Sequence, residues 1–141
     1  MNITFSDIKT AVKKQLAVIG KRTYNKEGVN KFSAITLSSA EEPVLDMFLS
    51  TGLQNVQTAL AQLIVSYSES STLVTMQVKN TRGMADFDTR CCELVKNYLT
   101  YFVLSEYLSM VHNEMAEMYT RNAVAMMGTL TATVYHKNPP K

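Results

Sequence analysis

Tryptophan is absent from this chain, and the residues that most often carry chemistry are scarce. Two histidines, two cysteines, five glycines and three prolines are all that 141 residues hold of those types. His112 and His136 lie far apart, with no His-x-x-x-His or His-Glu-x-x-His spacing, so no metal ligation and no cofactor is expected. Cys91 and Cys92 are neighbours, a pairing that bridges only with backbone strain and that a helix does not supply. With no second cysteine pair there is neither a disulfide framework nor a zinc site, which fits a reducing compartment. The glycines are scattered, so a Gly-x-Gly-x-x-Gly or phosphate loop is missing. Glu41/Glu42 and Asp86/Asp88 fall at expected helix starts, where capping accounts for them. No catalytic residue is expected, and the chain reads as no enzyme.

Charge is thin as well. Charged residues make up 18% of the chain, against a typical ~25%, while 46% is hydrophobic. A subunit that covers its surface with neighbours needs less charge than a solitary one. The net charge of +2 also hides a polarity. Residues 1–31 hold seven Lys/Arg against two acids, residues 32–120 four against ten, and residues 121–141 three against none. Opposite-signed segments suit head-to-tail packing of subunits, or a basic end that touches nucleic acid; a solvated basic arm beside an acidic helical face explains them equally well.

Long apolar runs are missing too. Residues 98–111, YLTYFVLSEYLSMV, come closest, with one charge in fourteen. A membrane span needs about 20 predominantly apolar residues. Lys96 and Glu106 leave only nine uncharged residues between them. Residues 122–135 are uncharged but diluted by threonines, an Asn and a Gly. No membrane partner is expected, and MNITFSDIKTAVKKQ lacks the basic start and apolar stretch of a signal peptide.

What is present is helical periodicity. Ile8, Val12, Leu16 and Ile19 mark one buried stripe of a first helix over about 7–19, capped by Ser6 and closed by Gly20. KRTYNKEGVNK, 21–31, reads as a basic exposed loop, and FSAITL, 32–37, as a short strand. Ser39 and Glu42 fit a capping box. They open an amphipathic helix of about 24 residues through Leu45, Phe48, Leu49, Leu53, Val56, Leu60, Leu63, Ile64 and Tyr67. LVTMQVK, 73–79, alternates as a half-buried strand, and NTRGM, 80–84, is a turn. A third helix then runs to about Val111. Asn113 caps a fourth, whose face holds Met115, Tyr119, Ala123, Met126, Met127, Leu130 and Val134; one continuous helix is the alternative. HKNPPK forms an extended tail.

This predicts a mainly α, four-helix bundle-like domain with a small β element of two short strands. It spans 1–141 as a single domain: basic helix plus loop in 1–31, helical core with short strands in 32–135, extended tail in 136–141.

On the third helix, apolar side chains occupy most of the circumference at ~100° per residue. Such a helix is buried on more than one side. Either it is a central helix of its own fold, or Tyr98, Tyr101, Leu104, Tyr107, Leu108 and Val111 meet a second copy; Tyr101→Asp or Leu108→Asp then blocks assembly or folding. Lys13, Lys14, Lys21 and Arg22 are the candidate nucleic-acid-facing residues. Without interleaved aromatics they support only non-specific phosphate contact, so a small helical nucleic-acid-binding or regulatory protein is the second reading.

Three pieces carry a resemblance: AEEPVLDMFLSTGLQNVQTAL, DFDTRCCELVKNYLTYFVLSEYLSMV and HNEMAEMYTRNAVAMMGTLTATVYHKNPPK. Over residues 40–141 the chain resembles the head–tail connector or adaptor subunits of tailed-phage necks, those of Bacteroidetes phages and prophages in particular. The resemblance implies a structural virion protein assembled in the host cytoplasm. By analogy with that family, copies form a homo-oligomeric ring, possibly of twelve, between the portal and the next neck or tail component. It also implies that the C-terminal segment reaches the portal, making Tyr135, His136, Lys137 and Lys141 candidate portal contacts.

Overall fold

Alternation along LVTMQV makes β3: Val74, Met76 and Val78 are buried, while Thr75 and Gln77 face solvent. A strand with one apolar face needs a layer to cover it, and helices supply that layer. The computed structural model describes residues 1–27, 42–80, 83–111 and 113–135, and side chains for all of these except 19–27, 42 and 111. Along the chain come β1 (Asn2–Thr4), α1 (Phe5–Glu27), α2 (Glu42–Ala59), β2 (Ile64–Glu69), β3 (Leu73–Val78), α3 (Phe87–Val111) and α4 (Asn113–Val134). The described residues are mainly α, with four helices and one small antiparallel sheet.

The sheet has the order β1-β3-β2, with Ile3 opposite Val74 and Tyr67 opposite Met76. Three strands are found among the described residues where two were expected, and only β3 coincides with an expected one. Residues 32–37, the other expected strand, lie outside the described residues, as does Ser39 of the capping box. β1 is too short to show a period, yet its pairing is firm. The Met1 amine donates to the Met76 carbonyl at 2.7 Å, Met76 N–H returns a bond to Met1 at 2.9 Å, and Phe5 N–H reaches Thr72 at 3.0 Å.

Two helix boundaries differ from expectation. α1 begins before Ser6 and continues past Gly20 to Glu27, so residues 21–27 are helix rather than loop. A single Gly costs a helix only ~1 kcal/mol relative to Ala. α2 stops at Ala59, and Leu63, Ile64 and Tyr67, which extend its helical period on paper, belong to a turn and to β2. Short apolar runs fit both periods, and pairing with β3 settles this one. Of the turn expected at 80–84, residues 81 and 82 lie outside the described residues; Gly83 takes φ 63°, and the Asn80 amide bridges both backbone groups of Met84.

The buried residues form one cluster with α3 at its centre. Ile8, Val12 and Leu16 cover it from α1, and Leu45, Leu49, Leu53 and Val56 from α2. The Tyr119, Ala123, Leu130 and Val134 face closes it from α4. α3 and α4 are separate helices that fold back on each other, and the Tyr101 and Tyr119 rings lie 6.2 Å apart across them. Met115, Met126 and Met127 are half-buried on the same α4 face, so these methionines pack against the chain's own core. Lys9 pairs with Asp46 of α2, and Lys96 lies 3.9 Å from Asp7, joining α1 to its neighbours at the surface.

One close approach fixes the α2–α3 spacing. A Cβ on buried Gly52 would lie 2.8 Å from Leu99 Cδ2 and 3.1 Å from Phe102 Cδ1, whereas one on Gly128 would meet nothing within 4 Å. Gly52→Leu is expected to lower stability by about 1–3 kcal/mol through overpacking. Gly128→Ala should raise it by about 0.5–1 kcal/mol through helix propensity. Urea denaturation of the two variants checks both signs.

Candidate functional site

The sequence left α3 either as a central helix of its own fold or as a contact with a second copy, and the structure puts most of those residues inside the chain. Leu104 and Leu108 are 0% exposed, and Tyr98 and Tyr107 are buried. The circumference of α3 that suggested an outside partner is covered by α1, α2, α4 and β1 of the same chain. In this conformation those four side chains cannot form a surface, and Leu108→Asp becomes a test of folding rather than of assembly. Tyr101 is half-buried against Tyr119. The Val111 side chain lies outside the described ones.

Other expected site residues divide in the same way. Lys13 and Lys14 are exposed on α1, while Lys21 and Arg22 lie on its helical continuation with side chains outside the described set. Tyr135 is half-buried, and its N–H donates to the Thr131 carbonyl at 2.8 Å. His136, Lys137 and Lys141 lie outside the described residues, as does His112.

What the sequence reading missed is a groove of about 680 Å³ between the end of α2, α3 and α4. Its walls include Asn55, Tyr98, Phe102, Glu106, Thr120, Val124 and Gly128. Tyr98 accepts a hydrogen bond from Asn55 Nδ2 at 3.2 Å, and its ring lies 5.8 Å from that of Phe102. Burial pushes the Tyr98 phenol upward despite that bond, which acts the other way. Ser105 is buried and satisfied by the Phe102 carbonyl at 2.8 Å. Val124 is 67% exposed on the α4 wall, and Met118 is also exposed on that helix. The signal was in the sequence: residues 122–135 carry no charge, and Val124 and Gly128 lie off the core stripe.

Nothing in the groove resembles a reaction centre. Its polar groups are one carboxylate, one phenol, an amide and hydroxyls spread along the walls. Among the described residues no group of three or more His, Cys, Asp or Glu could hold a metal ion, and no helix is long and apolar enough to cross a membrane. Compared with known proteins, the chain matches no family model, no curated protein and no solved structure.

The cysteines differ sharply. Cys91 is fully buried, and burial first, then the nearby Asp88 charge, pushes its thiol up to about 11 from an ordinary 9.0. Cys92 is half-buried, with Sγ 3.6 Å from the Asn2 carbonyl. A thiol pKa raised by folding gives stability that is complete below the unfolded value and lost as pH rises through the folded one. Stability should therefore decline between about pH 9 and about pH 11, and Cys91→Val should flatten that decline in denaturation curves. Iodoacetamide labelling read by mass spectrometry should modify Cys92 well before Cys91.

Proposed function

We propose that this chain is a non-enzymatic, ring-forming structural subunit of the tailed-phage connector type, linking the portal to the next neck or tail component of a virion. The observation that supports assembly is the groove and the uncharged outer side of α4 over residues 122–134. The interior is already closed around α3, yet apolar surface is left there on a chain short of charge. A bare apolar wall of this kind marks an interaction site. The bundle supplies a rigid body, and in the resemblance described above the C-terminal segment reaches a neighbouring component, the portal. Its work is mechanical: repeated contacts between copies close a ring, and the C-terminal segment adds a second contact.

One observation favours the nucleic-acid reading. α1 runs unbroken to Glu27, so Lys13, Lys14, Lys21 and Arg22 lie on a single helix. Such a basic helix could line a DNA channel or serve a small nucleic-acid-binding protein.

Light scattering coupled to size exclusion, alone and with candidate portal and neck proteins, separates the readings. The connector reading expects a discrete multimer, ring-shaped by negative-stain microscopy, or stoichiometric capture by the portal. A chain that stays monomeric in every mixture, yet loses duplex binding on charge reversal at Lys13, Lys14 and Arg22, is the regulator instead.

A further inference from the structure

Among the residues that line the groove, Glu106 alone is charged. It is half-buried, and no cation among the described residues pairs with its carboxylate. A carboxylate drawn partly out of water beside aromatic and apolar walls is costly until a cation meets it. Beside the groove, the exposed α4 surface holds Glu114, Glu117 and Arg121, one more acid than base. The ligand that suits this surface is apolar for part of its length and carries positive charge.

The outer face of α1 has that chemistry. Ile8, Val12 and Leu16 turn into the core, which leaves Thr10, Lys14 and Val18 exposed at four-residue spacing on the other side. Positions four apart on a helix are neighbours, so Lys14 and Val18 present a cation and an apolar group together. Val18 is 45% exposed. Lys9 pairs with Asp46 of its own chain, whereas Lys14 pairs with no acid among the described residues. Over residues 5–18 the helix holds three lysines against one aspartate. The two surfaces are thus opposite in sign, and each carries an exposed valine, Val18 on one and Val124 on the other.

Their lengths agree as well. From Thr120 to Thr131 the α4 wall of the groove runs about 16 Å, and Thr10 to Val18 spans about 12 Å, at 1.5 Å per residue. Amphipathic helices enter apolar grooves in this way, with anchors one turn apart. Within one chain Lys14 and Glu106 do not meet, and both ride on helices packed into one core. A second copy has to bring them together.

We propose that the outer face of α1 from one copy docks in the α2–α3–α4 groove of a second, with Lys14 against Glu106 and Val18 against the apolar wall of α4. Helix face and groove are different surfaces, so the contact is heterologous and closes a ring when its rotation allows. This inference rests on the self-assembly part of the function proposed above, and it turns the basic helix toward a neighbouring copy instead of nucleic acid.

Sedimentation velocity on charge-swapped variants tests it. Glu106→Lys and Lys14→Glu should each raise the concentration needed for assembly about tenfold or more. The double variant should bring it back to within a few-fold of the unaltered chain. Complementation supplies a second measurement. Gly128→Phe fills the groove, and since a Cβ there meets open space, the fold should survive; circular dichroism checks this. A second chain carries Lys14→Glu with Val18→Asp, which spoils the helix face and spares the groove. Each should be monomeric alone, and their mixture should give a one-to-one heterodimer and nothing larger. Single reversals that leave assembly unchanged overturn the contact and leave ring formation standing. So does a double variant that assembles no better than the single ones. Lys14→Glu that abolishes duplex binding but not assembly gives the helix face to nucleic acid and equally overturns it. An unaltered chain that never assembles, with or without the portal, removes both this inference and the reading beneath it.

Discussion

The enclosure of α3 is the constraint from which the rest of the architecture follows. A helix with apolar groups around most of its circumference cannot lie on a surface, because each large side chain left in water forgoes about 1.5–3 kcal/mol. Four neighbouring elements therefore converge on it, each from a different side. α4 folds back along one side, and α2 reaches another only because Gly52 lets its backbone approach Leu99 and Phe102. α1 and β1 cover what is left. Such a helix also has little room for charge, and Glu106, its sole charged residue after Lys96, lines the groove and is half-buried.

The sheet holds this arrangement in register. β1 pairs with β3, which sets where α1 begins, and the Met1 amine also lies 3.9 Å from Asp88 at the start of α3. That ion pair is exposed on the carboxylate side and worth little by itself. The ladder bonds and the burial of Ile3 against Val74 do more, because they are cooperative with the core. The first strand thus ties the ends of two helices that the sequence separates by some eighty residues.

Most of the helices were legible because their periods are long. The Ile8–Val12–Leu16 stripe, the α2 pattern as far as Leu60, and the α4 face from Met115 to Val134 each repeat often enough to exclude a strand. β3 was legible from strict alternation. β1 and β2 were not: three residues show no period, and Leu63, Ile64 and Tyr67 satisfy the helical spacing while their partner strand lies beyond a turn. α1 was under-read because glycine and a basic stretch resemble a loop, although neither forbids a helix. The groove was hidden for a different reason. It is made by three helices at once, and periodicity describes each helix alone.

The two charge-poor stretches of this chain now separate. Residues 98–111 hold a single charge, Glu106, because most of them are interior. Residues 122–135 hold none although Val124, Ala125, Gly128, Thr129 and Ala132 face solvent. Solvent-facing helix positions are cheap places for lysine or glutamate, which add solubility and are good helix formers. Stability inside the subunit gives no reason to leave them out, and at Gly128 the absence of a side chain costs helix stability with no close neighbour to require it. Under the assembly proposed above there is a reason, since small and apolar positions keep a receiving surface open and dry. The greasiest helix of the chain is thus its interior, and the blandest helix face is the one left to solvent.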